Sequence, residues 1–443
     1  MNKKNFWKDT IIVGLALFST MFGAGNLIFP PQIGLFSGDQ WVLGVLGLLL
    51  GGIILPVLAL WAVNNVGDKA QDLMGHVSPW FYNAYYLIGC SFIAMGSTLP
   101  KSAATTHEMA IQPLFPNVPI WVTVIVFFVL VYFFACDPNS VIDKLGKYMT
   151  PILVILLAIV LIKGVISPVG TPVDTGIDNA FGDAILTAYN TGDLTVGIMF
   201  ASVILLDLRR RGYTGAESKK GGYMAGVVSI VVLFAVYGTL TYIGACASGV
   251  YSQDTPQTAL LSGIIQSIMG PVGMACLGGA VALACLTTAV GIGTTCVGFF
   301  YDFFKRKIPY KVLVLIACII GIFMGITGVQ NIVNYVTPIF LVVYPALIVN
   351  TVLGLLNKYL PNDGFYKGGV LMAVVVSLGD AVLSVNPNIG WLQSFMDLFP
   401  FSGLGFAWVV PTIIGMVVGA IICRGKPKYQ PLPDPAEVSA QEK

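Results

Sequence analysis

The chain has 443 residues, of which 56% are hydrophobic and only 10% charged, whereas soluble domains carry about 25% charged residues. A water-soluble fold has no place for so much apolar surface, and a net charge of +2 leaves no basic face for nucleic acid. Eight cysteines (Cys90, Cys136, Cys246, Cys276, Cys285, Cys296, Cys318, Cys423) without a CxxC pair read as packing residues, and two distant histidines, His76 and His107, placed outside the apolar runs, give metalloenzyme or haem chemistry little to build on.

Lys3, Lys4 and Lys8 precede the first apolar run, as in a signal peptide, but the run continues from Thr10 past Pro31 and is read as a retained first membrane helix. Within it, LFSTMFGAGNLIFPP offers Gly23, Ala24 and Gly25 as a point of unwinding near mid-membrane, to which Asn26 adds a side-chain oxygen. Taken alone, the two glycines also read as close-packing residues. Further spans at about 41–63, 80–100, 119–136 and 149–167 complete a first group of five. Tyr85 and Tyr86 in the third either line a substrate pathway or pack at the interface, and Lys101 and Glu108 just beyond it are expected at the outer surface, paired with each other.

A second group is expected at about 189–207, 221–248, 271–300, 311–328 and 332–356, with two closing spans at about 368–386 and 404–423. The sixth opens on AYNTGDLTVGIMF, in which Asn190, Thr191, Gly192 and Asp193 occupy lipid-depth sequence near the outer end. A carboxylate at a helix centre costs about 2.5–3.5 kcal/mol on insertion scales, so Asp193 is expected to face a wet or paired site unless these residues only cap the helix at the surface. The eighth span, LGGAVALACLTTAVGIGTTCVGFF, sets Ala284, Thr287 and Thr288 on one face, extended by Gly291, Thr294 and Thr295. Such a stripe serves helix packing or, beside an unwound first span, a hard cation that wants oxygens. Asp380 in the eleventh span is expected either to bond a neighbouring helix or to relay protons.

Twelve spans with both ends inside place nearly all lysines and arginines on the cytoplasmic side, including the Arg209–Lys220 and Lys305–Lys311 clusters. Shifting the count by one in the middle would put one of those clusters outside. Arg209, Arg210 and Arg211 then set topology and meet anionic lipid. The first and sixth spans, five apart, run antiparallel, so their two breaks can frame one midplane site. There, free N–H groups at a half-helix N-terminus bind a carboxylate and exposed carbonyls bind sodium. No convergent nucleophile, base and metal set suggests an enzyme.

FGAGNLIFPP, TLPKSAATTHEMA, YNTGDL and ACLTTAVG, in this order through nearly the whole chain, resemble the branched-chain amino acid:cation symporter family. The resemblance implies an all-α integral membrane protein of about twelve transmembrane helices with a LeuT-like five-plus-five inverted repeat, broken first and sixth helices and two peripheral helices. Residues 1–170 would form the first repeat, 171–357 the second, 358–425 the peripheral pair and 426–443 a disordered cytoplasmic tail. It implies import of leucine, isoleucine and valine across a bacterial cytoplasmic membrane, with sodium as coupling ion, protons as the rival, and no cofactor. Carried over position by position, the sodium ligands are the carbonyls of Ser19, Phe22 and Ala284 and the hydroxyls of Thr287 and Thr288. Asn26 and Thr191 match a second sodium site found in some relatives. Substrate is expected at Ala24, Gly25, Asn26, Asn190, Thr191, Gly192 and Asp193. Sodium, substrate and the bilayer are the partners expected; preference among the three amino acids and oligomeric state are left open.

Overall fold

The computed structural model describes residues 5–67, 69–136 and 150–430. Among the described residues there is no strand, and the helices follow as α1 (Phe6–Met21), α2 (Ala24–Ser37), α3 (Trp41–Leu48), α4 (Leu55–Val66), α5 (Ala70–Gly75), α6 (Phe81–Ile88), α7 (Leu99–Thr106), α8 (Ile120–Ala135) and α9 (Thr150–Ile166). Then come α10 (Ala180–Tyr189), α11 (Asp193–Arg210), α12 (Gly215–Ala245), α13 (Gln257–Phe303), α14 (Tyr310–Gly325), α15 (Val329–Leu355), α16 (Gly364–Val385), α17 (Gly390–Met396) and α18 (Val409–Ile422).

Several of these join into single passages. α1 with α2, and α10 with α11, are broken spans, while π-helical stretches at Leu49–Ile54, Gly89–Thr98 and His107–Ile111 carry the second and third passages through without interruption. Counted this way the described residues form the twelve helical passages that hydropathy suggests. Lys3, Lys4, Lys144, Lys147 and Lys443 lie outside the described residues.

The two broken spans run antiparallel, and contacts at both ends show it. At one end Arg211 Nη1 is 3.2 Å from Asp9 Oδ1. At the other, Thr175 Oγ1 donates to the Phe36 carbonyl at 2.6 Å and Gln40 Nε2 to the Ile177 carbonyl at 3.1 Å. The C-terminal end of α2 therefore meets the approach to α10, and the start of α1 meets the end of α11.

Exposed apolar side chains on α8, α16 and α18 (Phe133, Leu371, Val375, Ile414, Ile421) form faces that water would not tolerate and lipid does. α16 and α18 press backbone against backbone: a Cβ at Gly364 would lie 2.0 Å from the Gly419 carbonyl oxygen, and one at Gly368 1.9 Å from that of Gly415. Small residues one turn apart permit this approach, which replaces the hydrophobic effect as the source of helix association in lipid.

Four features differ from the sequence reading. The third passage does not end near residue 100 but continues helically to Ile111, because its second half is rich in small residues buried in protein rather than facing lipid. The eighth is preceded by an extra helical segment, separated from it at Gly270 (φ 59°) before Pro271. Both histidines are buried: His107 Nδ1 lies 3.0 Å from Thr123 Oγ1, and His76 Nδ1 lies 2.6 Å from Asp363 Oδ1. Asp380 is half-buried but makes no hydrogen bond to a neighbouring helix among the described residues.

The start of the expected tail is also held. Lys428 Nζ donates to the Asn357 carbonyl at 2.5 Å and the Leu360 carbonyl at 3.2 Å, and the Tyr429 N–H donates to Asp363 Oδ2 at 2.6 Å. The Tyr429 ring covers Gly75 so closely that a Cβ there would meet it at 2.4 Å. Residues 431–443 lie outside the described residues.

Candidate functional site

The break in the first passage falls where the sequence permits it. Phe22 ends α1 with ψ 89°, Gly23 is extended, and α2 starts at Ala24. A half-helix that starts in mid-bundle leaves its first N–H groups without intrahelical partners, and one that stops there leaves its last carbonyls. The Asn26 N–H is already taken by the Gly23 carbonyl at 3.1 Å, so the N–H groups of Ala24 and Gly25 are the ones presented to a ligand.

The sixth passage breaks at Asn190, Thr191 and Gly192, with the two halves bent by 52°. Gly192 has φ 84°, in the left-handed region where a side chain strains the backbone. The break is not a surface cap: Asp193 is 2% exposed and opens a further eighteen-residue helix. The passage runs from Ala180 to Arg210, so the residues expected near its outer end sit near its middle.

Both breaks meet. Asn26 Nδ2 lies 3.1 and 3.0 Å from the two carboxylate oxygens of Asp193 and also reaches the Met21 carbonyl and the Tyr237 hydroxyl. One amide supplies two hydrogens, so it cannot serve all these acceptors together. Asp193 further gains from its place at the N-terminus of α11, where the helix dipole favours negative charge. The Thr191 hydroxyl donates to the Ala188 carbonyl at 2.8 Å and accepts from the Asp193 N–H at 3.3 Å. The Leu194 N–H is met by the Tyr344 hydroxyl at 3.3 Å, and the Thr337 hydroxyl donates to Asn190 Oδ1 at 2.8 Å. Gly25 is where the half-helices touch: a Cβ on it would lie 3.3 Å from Thr191 Cα.

A second cluster joins α1 to α13. The Thr288 hydroxyl donates to the Phe22 carbonyl at 3.2 Å, the Thr287 hydroxyl to the Ala284 carbonyl at 3.0 Å, and a Cβ on Gly23 would meet Thr288 Cγ2 at 3.0 Å. Ser19, Phe22, Ala284, Thr287 and Thr288 are all buried. The structure thus brings the candidates at the end of α1 and on α13 together, with backbone carbonyls and hydroxyls between them.

Sequence reasoning missed Lys101. It is 2% exposed rather than at the outer surface, its Nζ donates to the Asn190 carbonyl at 2.9 Å, and it lies 5.3 Å from the centroid of the Phe29 ring. It does not pair with Glu108, whose carboxylate accepts from the Thr258 hydroxyl at 2.7 Å and the Val329 N–H at 2.9 Å. A charge within LPKSAATT was the available signal, since an ionisable residue inside a membrane helix is a functional candidate by default. Tyr237 carried no such signal. Tyr85 and Tyr86 are buried; Tyr86 packs on Tyr82 and Phe299, with ring centroids 4.5 and 5.2 Å away.

Comparison with known proteins adds a family to this geometry. Residues 6–426 match the family model described as branched-chain amino acid transport protein. The chain is 28% identical over 428 residues to the branched-chain amino acid permease BraB of Bacillus subtilis, covering 94% of this chain and 95% of that one. It is 30% identical over 429 residues to the permease BrnQ of Haemophilus influenzae, covering 94% and 97%. Among solved structures, a variant of the Eremococcus coleocola manganese transporter superposes with a TM-score of 0.63 at 14% identity, covering 95% of this chain and 97% of that one. The inward-facing conformation of Mhp1 gives 0.59 at 13%, covering 98% and 94%. At such identities the structural likeness speaks for the LeuT-like fold alone.

Proposed function

The chain belongs to the branched-chain amino acid transport protein family, whose named relatives are permeases and carriers rather than enzymes, and from that premise we propose that it is a sodium-coupled symporter importing leucine, isoleucine and valine by alternating access. Residues 1–170 and 171–357 are its two inverted repeats, 358–425 flank them, and both termini face the cytoplasm of a bacterium. In favour of that orientation, Asp9, Arg211, Lys428 and the Arg209–Lys220 cluster gather at one end of the bundle.

The observation that carries sodium coupling is the apposition of Thr287 and Thr288 to the end of α1, with the Thr288 hydroxyl on the Phe22 carbonyl at 3.2 Å. A sodium ion entering there takes the carbonyls of Ser19, Phe22 and Ala284 and both hydroxyls, in exchange for the hydrogen bonds those hydroxyls now make. Binding then ties α1 to α13, and the substrate, held by α2 and α11, experiences the same closure. The substrate carboxylate meets the N–H groups of Ala24 and Gly25 beside Asn26. Its ammonium meets the carbonyls around Asn190, Thr191 and Gly192 and the Asp193 carboxylate. An inward sodium gradient plus a membrane potential, worth about 2.3 kcal/mol per charge per 100 mV, drives accumulation.

A second reading has its own support. Asp193 is a buried carboxylate at the break, a place where a proton can replace sodium as the driving ion. Uptake of labelled leucine into proteoliposomes, with external sodium replaced by choline at constant pH, separates the two: sodium coupling predicts collapse, proton coupling predicts uptake that follows the pH gradient. Uptake of no branched-chain amino acid under either gradient would sink both.

A further inference from the structure

Lys101 is an ammonium with unused hydrogen bonds in a place that water does not reach. A lysine offers three N–H donors, and among the described residues only the Asn190 carbonyl, at 2.9 Å, accepts one of them. The Phe29 ring face, 5.3 Å from Nζ, adds attraction without using a donor. Two donors on a charge that is 2% exposed are a large cost to leave unanswered.

Its position says what would answer them. Nζ lies 3.3 Å from where a Cβ of Gly25 would be, beside the first turn of α2. A positive charge next to the positive end of a helix dipole is unfavourable unless an anion joins them. Asp193 acts on Lys101 electrostatically across the break, but its carboxylate is engaged with Asn26 and with the Tyr237 and Thr191 hydroxyls and is not within ion-pair distance of Nζ. The junction therefore holds a separated positive and negative charge, the first on α7 and the second at the start of α11.

Building on the amino acid transport reading above, we propose that Lys101 receives the substrate's carboxylate, together with the N–H groups of Ala24 and Gly25, while Asp193 faces its ammonium. The two buried residues then recognise a free amino acid by its pair of opposite charges, and the substrate's dipole lies antiparallel to theirs. The specificity follows from chemistry: a ligand lacking either charge leaves one buried ion without its counter-charge, a penalty that apolar contacts with a branched side chain do not offset.

The test compares leucine with leucinamide, which keeps the ammonium and the side chain but replaces the carboxylate with an uncharged amide. Affinities are read from ligand-induced thermal shifts of the purified full-length carrier in lipid nanodiscs. Wild type is expected to prefer leucine by roughly 10- to 100-fold, the range of a charged hydrogen bond. Lys101→Gln should erase that preference, with leucine weakened to the level of leucinamide and leucinamide itself moving by less than about 3-fold. If Lys101→Gln does not fold, the double variant Lys101→Gln/Asp193→Asn, which removes both charges and leaves neither uncompensated, should bind the two ligands alike. The assignment is overturned if wild type does not discriminate, if either variant keeps the preference, or if Lys101→Gln binds leucine more tightly, as it would were the ammonium a competitor for the Asn190 carbonyl. Wild type that binds leucine beside a variant with intact preference overturns Lys101 alone. Wild type that binds none of leucine, isoleucine and valine overturns the transport reading itself.

Discussion

Asp193 and Asp363 are both buried carboxylates, and their surroundings differ in a way that separates function from architecture. Asp363 has one oxygen on His76 Nδ1 and the other on the Tyr429 N–H, each at 2.6 Å, and the imidazole stacks on Tyr366 at 4.8 Å. Its partners all come from the chain and complete its needs. Asp193 shares an over-subscribed amide with the Met21 carbonyl and the Tyr237 hydroxyl, has the Tyr237 and Thr191 hydroxyls beside its carboxylate, and stands opposite a lysine with two idle donors. A charge whose shell is closed by protein holds parts together; a charge whose shell is left open awaits something else.

The largest effect should come from Asp193→Ala, which leaves the Lys101 ammonium buried without its counter-charge. We expect leucine uptake per folded carrier to fall by at least about 100-fold, in line with the cost of unpairing a buried ion. Retention of more than a tenth of wild-type uptake in proteoliposomes would erase the contrast with Asp363. Next in size is Thr288→Ala, which removes a hydroxyl from the α1–α13 cluster. The sodium concentration for half-maximal uptake should rise by about 10-fold, with leucine affinity at saturating sodium nearly unchanged. An unaltered sodium requirement would remove Thr288 from the ion site.

At Asp363 the prediction runs the other way. Asp363→Asn should destabilise the carrier by about 1–3 kcal/mol while uptake per folded molecule stays at the wild-type rate. Melting in detergent and normalised uptake read the two halves of that statement, and a loss of transport without a loss of stability would contradict it. The smallest effect is in pH. Burial pushes the Asp363 carboxyl up, but the bonds from His76 and Tyr429 outweigh it and hold the group below its ordinary value. The carboxylate's contribution is therefore fully present above the ordinary carboxylate value, about pH 4, and is lost as pH falls through the lower folded value. The stability gap between wild type and Asp363→Asn should be constant from neutral pH down to about 4 and narrow only below it. A gap that already closes near pH 6 would assign it to some other group.

Much of this was legible from residues alone because lipid makes simple demands. Apolar run length and lysine placement pointed to twelve passages, and the glycines at 23 and 192 marked where backbone leaves the helix, whereas Ala24 and Gly25, expected in the unwound stretch, already belong to α2. The threonine face of α13 was visible as spacing. Lys101 was hidden for a physical reason: hydropathy reads contact with lipid, and α7 has protein on its polar, small-residue faces. The π-helical stretch Gly89–Thr98 adds to this, since its wider turns rotate everything beyond it relative to an α-helical count from Phe81. Tyr237 and Tyr344 reach the junction from distant passages, and no local pattern announces a contact made across more than a hundred residues. The start of the sixth passage was misplaced because Asp183 and Thr187 interrupt the apolar run within Ala180–Tyr189, although the segment is helical.

The seat of Tyr429 on Gly75 has a practical meaning for anyone who handles this protein. A tag or fusion appended after residue 430 leaves that seat filled. A truncation that removes Lys428 and Tyr429 strips the cover from α5 and opens the bonds to Asn357, Leu360 and Asp363 together. The boundary between carrier and handle thus falls after the last apolar helix by several residues, and it is drawn by one aromatic ring rather than by hydropathy.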